Sequence, residues 1–262
     1  MDSWKSFGKF IGSHLAFIAP ACVVVGVLFP EQVGVLKPLV TALFAFMTFQ
    51  GALGNNFANL AHTFRHPAPM LVTLLISSVA MPVVAYALGS LFFGDDPSLV
   101  CGIVLEYSVP VAVVSAMWVS MFGGDVAQAL ATLLVSTVLS PVTIPLTLQL
   151  LLGRSVQVDA AGMMVDMLFQ IALPALAGMA VNDLTHGWGK KTLAPVLGPA
   201  AKVALVLVIL SNSTGVSPYM RHLTPRLVGV MVFIAVFATS GYFWGLIVSR
   251  LCRRPRAVQV TM

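Results

Sequence analysis

Glu106 is the side chain whose surroundings ask most of it. It stands about ten residues into an apolar stretch from 97 to 123, where an ionised carboxylate costs at least a few kcal/mol. Such an acid needs a cavity, a partner or a proton. That fits coupling to a cation or a proton, and it fits equally a protonated or hydrogen-bonded Glu that only ties helices together. Four residues on comes Pro110, which lacks an N–H and clashes with the preceding turn of a helix. A break there frees backbone carbonyls beside Glu106 and Ser115, and transporters use freed carbonyls and half-helix ends to hold cations and anionic substrates. A simple proline kink is the plainer alternative. Further along, Ser136-Thr137-Val138-Leu139-Ser140-Pro141 offers hydroxyls that either line a pathway or cap backbone groups freed by Pro141 and Pro145. Gln50 and the run Ser211-Asn212-Ser213-Thr214 close two other apolar stretches. Their amides, Gln50 and Asn212 above all, suit an organic anion, or else they are helix-end groups at an interface.

Other polar residues carry less. Asp125 follows Gly123-Gly124 and is expected to cap the next helix. Lys202 has the reach to snorkel to headgroups, and a pairing of Asp166 with Lys202 is the other option. Cys22, Cys101 and Cys252 lack metal-ligand spacing and read as apolar filling. No nucleotide loop, zinc motif or nucleophile elbow occurs. The expectation is therefore no enzyme and no cofactor, with an ion gradient, Na+ or H+, or the substrate's own gradient as the energy source.

These residues need elements that hold them at depth. Of 262 residues, 58% are apolar and only 9% charged, with a mean hydropathy of +0.96. A soluble domain carries roughly a quarter charged residues to cover its surface; this chain needs the bilayer as its solvent. The 21 Gly and 16 Pro are tolerated in membrane helices. Eight apolar segments are expected to span, at 14–30, 36–54, 67–93, 97–123, 126–152, 160–181, 194–213 and 225–251, most near the ~20 residues that cross ~30 Å of hydrocarbon. They neither alternate nor have the length of barrel strands. The first twelve residues read as short and polar, and no small-residue cleavage site follows them. The formal charge of +5 sits mostly beside spans rather than in a nucleic-acid patch. Alternate loops place Lys5, Lys9, Arg65, Lys190, Lys191, Arg250, Arg253, Arg254 and Arg256 on one face and Lys37, Arg154, Arg221 and Arg226 on the other. That asymmetry predicts an inner (plasma) membrane protein with a cytoplasmic N-terminus.

Prolines also repeat. Pro38, Pro67 and Pro97 open the second, third and fourth segments, and Pro195, Pro225 and Pro255 lie 157 to 158 residues beyond them. The unit holds five spans. An odd number of crossings brings the second copy in from the opposite side, the inverted repeat of many secondary transporters. The first unit runs over 1–153. The second, 154–262, is expected to be incomplete, with three helices; the offset carries its last two, spans 9 and 10, beyond Met262.

The segment Leu105-Glu106-Tyr107-Ser108-Val109-Pro110-Val111-Ala112-Val113-Val114-Ser115, with Gly124-Asp125-Val126-Ala127, Ser136-Thr137-Val138-Leu139-Ser140-Pro141, Phe46-Met47-Thr48-Phe49-Gln50-Gly51-Ala52-Leu53 and Met81-Pro82, resembles the bile acid:sodium symporter superfamily in a divergent branch. The resemblance implies an all-α membrane fold of ten helices in two inverted five-helix repeats, of which this chain carries about eight. It implies a panel (14–54 and 160–213) facing a core (67–152 and 225–251), and a broken crossover helix over Glu106 to Ser115. Substrate would enter between panel and core. The chain departs from the family's sodium-binding pattern. The crossover reads Pro110-Val111-Ala112-Val113-Val114-Ser115-Ala116 in place of Pro-Gly-Gly-Thr-Ala-Ser-Asn. Ser115 matches the serine ligand, and Ala116 stands where the asparagine would. The family's hydroxyl ligands fall at Ala129 and Leu133 and its span 3 glutamine at Ser77.

The expected function is secondary active transport of a small organic anion by alternating access, coupled to Na+ or H+, with Glu106, Pro110, Ser115, Ser136, Thr137, Gln50 and Asn212 at the site. The expected partners are that anion and the lipid bilayer, with no nucleic acid; a homodimer is compatible with the plan. Two other readings stay open. One is export of the arsenite or auxin kind, in which a thiolate, Cys101 here, would act near the crossover. The other is a non-transporting membrane module or a fragment that needs a partner chain.

Overall fold

A computed structural model describes residues 2–57, 67–111, 115, 119–120, 122–153, 155–220 and 224–251. Among them the regular structure is all helical, without strands, as an all-α membrane protein requires. The helices are α1 Asp2–Ser13, α2 Leu15–Leu28, α3 Pro30–Gly34, α4 Val40–Ala52, α5 Ala68–Phe93, α6 Pro97–Glu106, α7 Val126–Leu152, α8 Ala160–Leu184, α9 Gly189–Met220 and α10 Pro225–Leu251. Five described helices are long and apolar enough to cross a membrane, or six if α1 and α2, bent by 78° at His14, count as one. Of the eight expected segments, the fourth is not a full helix: α6 has 10 residues, about half a bilayer at 1.5 Å per residue.

Helix starts follow local chemistry. Asp96, Asp125 and Asp159 cap α6, α7 and α8, accepting from the backbone N–H of Ser98 and Leu99, of Gln128, and of Gly162, which satisfies donors that a helix leaves orphaned. Inside α7, Pro141 cannot donate to the Thr137 carbonyl, and the Ser140 hydroxyl supplies that bond at 2.8 Å.

The chain divides into two compact units. Unit 1 comprises residues 1–57 and 169–225, and α9 is its axis, packed by α1, α2 and α4, with the second half of α8 on α4. Small residues allow these approaches: a Cβ on Gly26 would lie 2.5 Å from the Leu210 carbonyl of α9, and one on Gly178 equally close to the Phe49 carbonyl of α4. Unit 2 comprises 58–168 and 226–262. Its core joins Val100 and Val104 of α6 to Ile144, Leu148 and Leu152 of α7, with Met163 and Met167 of α8 packed on them. A second cluster sets Ala85 of α5 and Ile103 of α6 against Val230 and Phe237 of α10. The Arg226 guanidinium pairs with Asp95 at the start of α10. The chain leaves unit 2 for unit 1 inside α8, at the widened turn Leu168–Ala172.

The first residues depart from the sequence reading. They form a helix rather than a short polar lead, because Trp4, Gly8, Ile11 and Gly12 fall on one side of it.

Candidate functional site

Pro110 explains where α6 stops. The Glu106 carbonyl would need the N–H of residue 110, which proline does not have. The helix ends at Glu106, and residues 107–111 run on as turn, bend and irregular chain. The break is pinned on both sides within unit 2. The Tyr107 hydroxyl donates to the Ile234 carbonyl of α10 at 2.8 Å, and its ring meets Phe237 edge-on with centroids 4.4 Å apart. The Ser108 hydroxyl turns back to the Val104 carbonyl at 2.7 Å. The Val111 N–H, which the interruption leaves without a helical acceptor, donates to Ser136 Oγ of α7 at 3.1 Å, and Ser136 in turn donates to the Leu133 carbonyl at 2.9 Å.

Glu106 itself is exposed, with no hydrogen-bond or ion-pair partner among the described residues. A carboxylate at a helix C-terminus adds its charge to the negative end of the helix dipole, so this half-helix end attracts cations. Ser115 is half-buried on the far side of the break; residues 112–114 and 116–118, with Ala116 among them, lie outside the described residues, as do Cys252 and the basic run after it.

The other expected residues scatter. Ser136 belongs to the break, and its oxygen is engaged. Thr137 bonds back to the Leu133 carbonyl at 2.8 Å. Gln50 Nε2 donates to the Ala194 carbonyl near the start of α9 at 3.2 Å. Asn212 is exposed near the other end of that helix, about 27 Å further along its axis, so the two amides do not converge. Around Asn212, the hydroxyls of Ser213, Thr214 and Ser217 are all held by backbone carbonyls, those of Ile209, Ser211 and Val27. Lys202 Nζ donates to the Gly8 carbonyl at 2.7 Å. Ala129 and Leu133 are buried apolar side chains, Ala129 in a small cluster with Val119, and the Ser77 hydroxyl faces the Leu74 carbonyl at 3.4 Å. Cys101 packs on the α6–α7 core ahead of the break, and Cys22 is buried; both are free. A groove of about 580 Å³ runs between α5 and α10, lined by Val84, Leu88, Phe92, Val232, Val236 and Trp244 among others; it is apolar and holds none of the expected site residues.

Sequence reasoning passed over Tyr107. A tyrosine inside a span, one residue past the acid and three before the proline, needs a partner for its hydroxyl, and that need was the available signal. Ser136 gives the first prediction. Ser136→Ala strands the Val111 N–H at the break and is expected to cost about 1–3 kcal/mol. Thr137→Val removes only a bond within one helix and should change stability by less than about 0.5 kcal/mol. Melting of the two purified variants side by side checks this: equal melting temperatures would show that the Ser136 bond does not hold the break.

A family model described as the sodium bile acid symporter family matches residues 41–222. YbaS of Bacillus subtilis, an uncharacterized protein, is 33% identical over 240 residues, covering 92% of this chain and 78% of the relative. YocS of the same organism, an uncharacterized sodium-dependent transporter, is 21% identical, covering 97% of this chain and 77% of the relative. BASS1 of Arabidopsis thaliana, a probable chloroplastic sodium/metabolite cotransporter, is 24% identical, covering 94% of this chain and 62% of the relative. With well over half its length matched by the family model, and one residue in three shared with a relative across most of both chains, this chain belongs to the sodium bile acid symporter family.

Proposed function

We propose that the protein is a secondary transporter that moves a small organic anion by alternating access, driven by Na+ or H+. The observation that carries this reading is the half-helix α6, which ends on the exposed carboxylate of Glu106 beside a proline break pinned by Tyr107 and Ser136. A carboxylate and helix-end carbonyls together form a cation-attracting centre. The names of YocS and BASS1, which carry sodium dependence, support a cation as the driving species. Two compact units, joined inside α8 at a widened helical turn, support the panel and core as bodies that move in transport. The pairings of α4 with α9, of α9 with α2, and of α4 with the second half of α8 are those an inverted repeat of the two chain halves calls for. The Lys and Arg asymmetry supports a plasma-membrane protein with its N-terminus in the cytoplasm.

Ala129 and Leu133 supply no oxygen where the resemblance puts hydroxyl ligands, which moves the weight of ion coupling onto Glu106 and the break. Uptake of candidate organic anions into proteoliposomes, with Na+ and H+ gradients imposed one at a time, tests the reading. One gradient is expected to raise initial uptake at least about tenfold, the factor that ~1.4 kcal/mol of coupling gives. Uptake of a transported anion that responds to neither gradient would overturn the coupled mechanism.

A further inference from the structure

We propose that α1 is an interfacial helix that docks acidic phospholipid headgroups along one edge of unit 1. Its direction comes first. α2 is apolar along its whole length, and α1 leaves it at 78°, so the chain turns sharply at His14 from a helix that carries two lysines to one that carries no charge. At 14 residues α2 is short, about 21 Å against ~30 Å of hydrocarbon, which brings α1 down to the boundary between headgroups and acyl chains. The faces of α1 match that level. Trp4, Gly8, Ile11 and Gly12 turn towards one side, where the Trp4 indole N–H donates to the Val196 carbonyl of α9 at 3.1 Å and Gly8 lies against Pro199 with no room for a Cβ. Lys202 reaches under the helix to the Gly8 carbonyl, and a Cβ on Gly12 would meet its Nζ at 2.7 Å.

Phe7 and Phe10 are exposed on a second side. Lys5 and Lys9, also exposed, stand roughly 150° around the helix from them. With the two phenyl rings in the acyl chains, the lysine stems run up to the phosphate level. Lys190 and Lys191, exposed in the first turn of α9 just ahead of Val196, add two more cations at the same end of that helix. A rigid, amphipathic helix with aromatic rings below and ammonium groups above is complementary to an acidic lipid surface.

Hydrogen exchange of the full chain in nanodiscs of phosphatidylcholine, with and without phosphatidylglycerol, tests the proposal. Backbone amides of residues 2–13 are expected to exchange about tenfold more slowly in the acidic discs, and the second half of α9, residues 203–220, to exchange equally in both. The Lys5→Gln, Lys9→Gln double variant should lose that difference, and so should the wild-type chain at about 1 M salt, where the screening length falls to ~3 Å. Equal exchange of α1 in the two lipids, or a difference that survives both the double variant and the salt, would overturn it.

Discussion

Glu106→Gln is expected to cut gradient-driven uptake at least about tenfold while leaving the protein as stable as before, or slightly more so. The two effects part because of where the acid sits. At the last residue of α6 its charge adds to the negative end of the helix dipole, an arrangement that costs about 0.3–1 kcal/mol at exposed sites. No described group offsets it. Neutralising it therefore relieves the half-helix, and the melting temperature should hold or rise. For a bound cation the sign reverses. A unit charge 4 Å away is worth ~4 kcal/mol at an effective dielectric of 20; exposure discounts much of that, and ~1.4 kcal/mol of what remains already gives tenfold. Glu106→Asp keeps the charge one methylene further back and should retain intermediate uptake. A structural tie would show the opposite pattern, with melting and uptake falling together. Wild-type uptake by the Gln variant would falsify the assignment of Glu106 as the coupling acid.

What the sequence made legible follows from range. Apolar runs of about twenty residues locate spans because the bilayer's thickness is fixed, and the helices fall on the expected segments to within a few residues at most ends. Pro110 located the break because a missing N–H acts within four residues, and Asp125 was legible as a cap for the same reason. Contacts between distant positions were not legible. Nothing in the 25 residues between Val111 and Ser136 announces that one donates to the other. Nor does Gln50 reveal that its amide belongs to Ala194, 144 residues on. The reading of Gln50 and Asn212 as amides of one organic-anion site brings both together, whereas the packing of α4 on α9 holds Gln50 at the start of α9 and leaves Asn212 near its other end. The amphipathic α1 was hidden by its glycines and serines, which dilute its apolar positions until the helix places them on one side. Asn182 went unmarked as well, although a buried amide in an otherwise apolar helix end has to be satisfied by something.

Asn182→Leu is expected to be the most damaging single substitution in unit 1. Asn182 closes α8 and is buried. Its Nδ2 donates to the Asn55 carbonyl, in the loop that follows α4, and its Oδ1 accepts from the Lys190 N–H at the start of α9, each at 2.9 Å. One amide thus holds three elements, and it does so where His186 takes φ 52 and Gly187 φ 87 to reverse the chain. Leucine has the same branching but bulkier methyl groups and gives back neither bond, leaving the buried Asn55 carbonyl and the partly buried Lys190 N–H unsatisfied. At about 1–3 kcal/mol for each orphaned group, the loss should total roughly 2–6 kcal/mol and lower the melting temperature by at least about 4 °C. The neighbouring residue supplies the contrast. Asp183 accepts from the Phe57 N–H at 2.8 Å, and Asp183→Asn keeps an acceptor oxygen at that place, so it should cost less than about 1 kcal/mol. Melting of both variants in one detergent decides the matter. If Asn182→Leu melts within a degree or two of Asp183→Asn, the α8–α9 reversal is held by apolar packing, and the amide is dispensable.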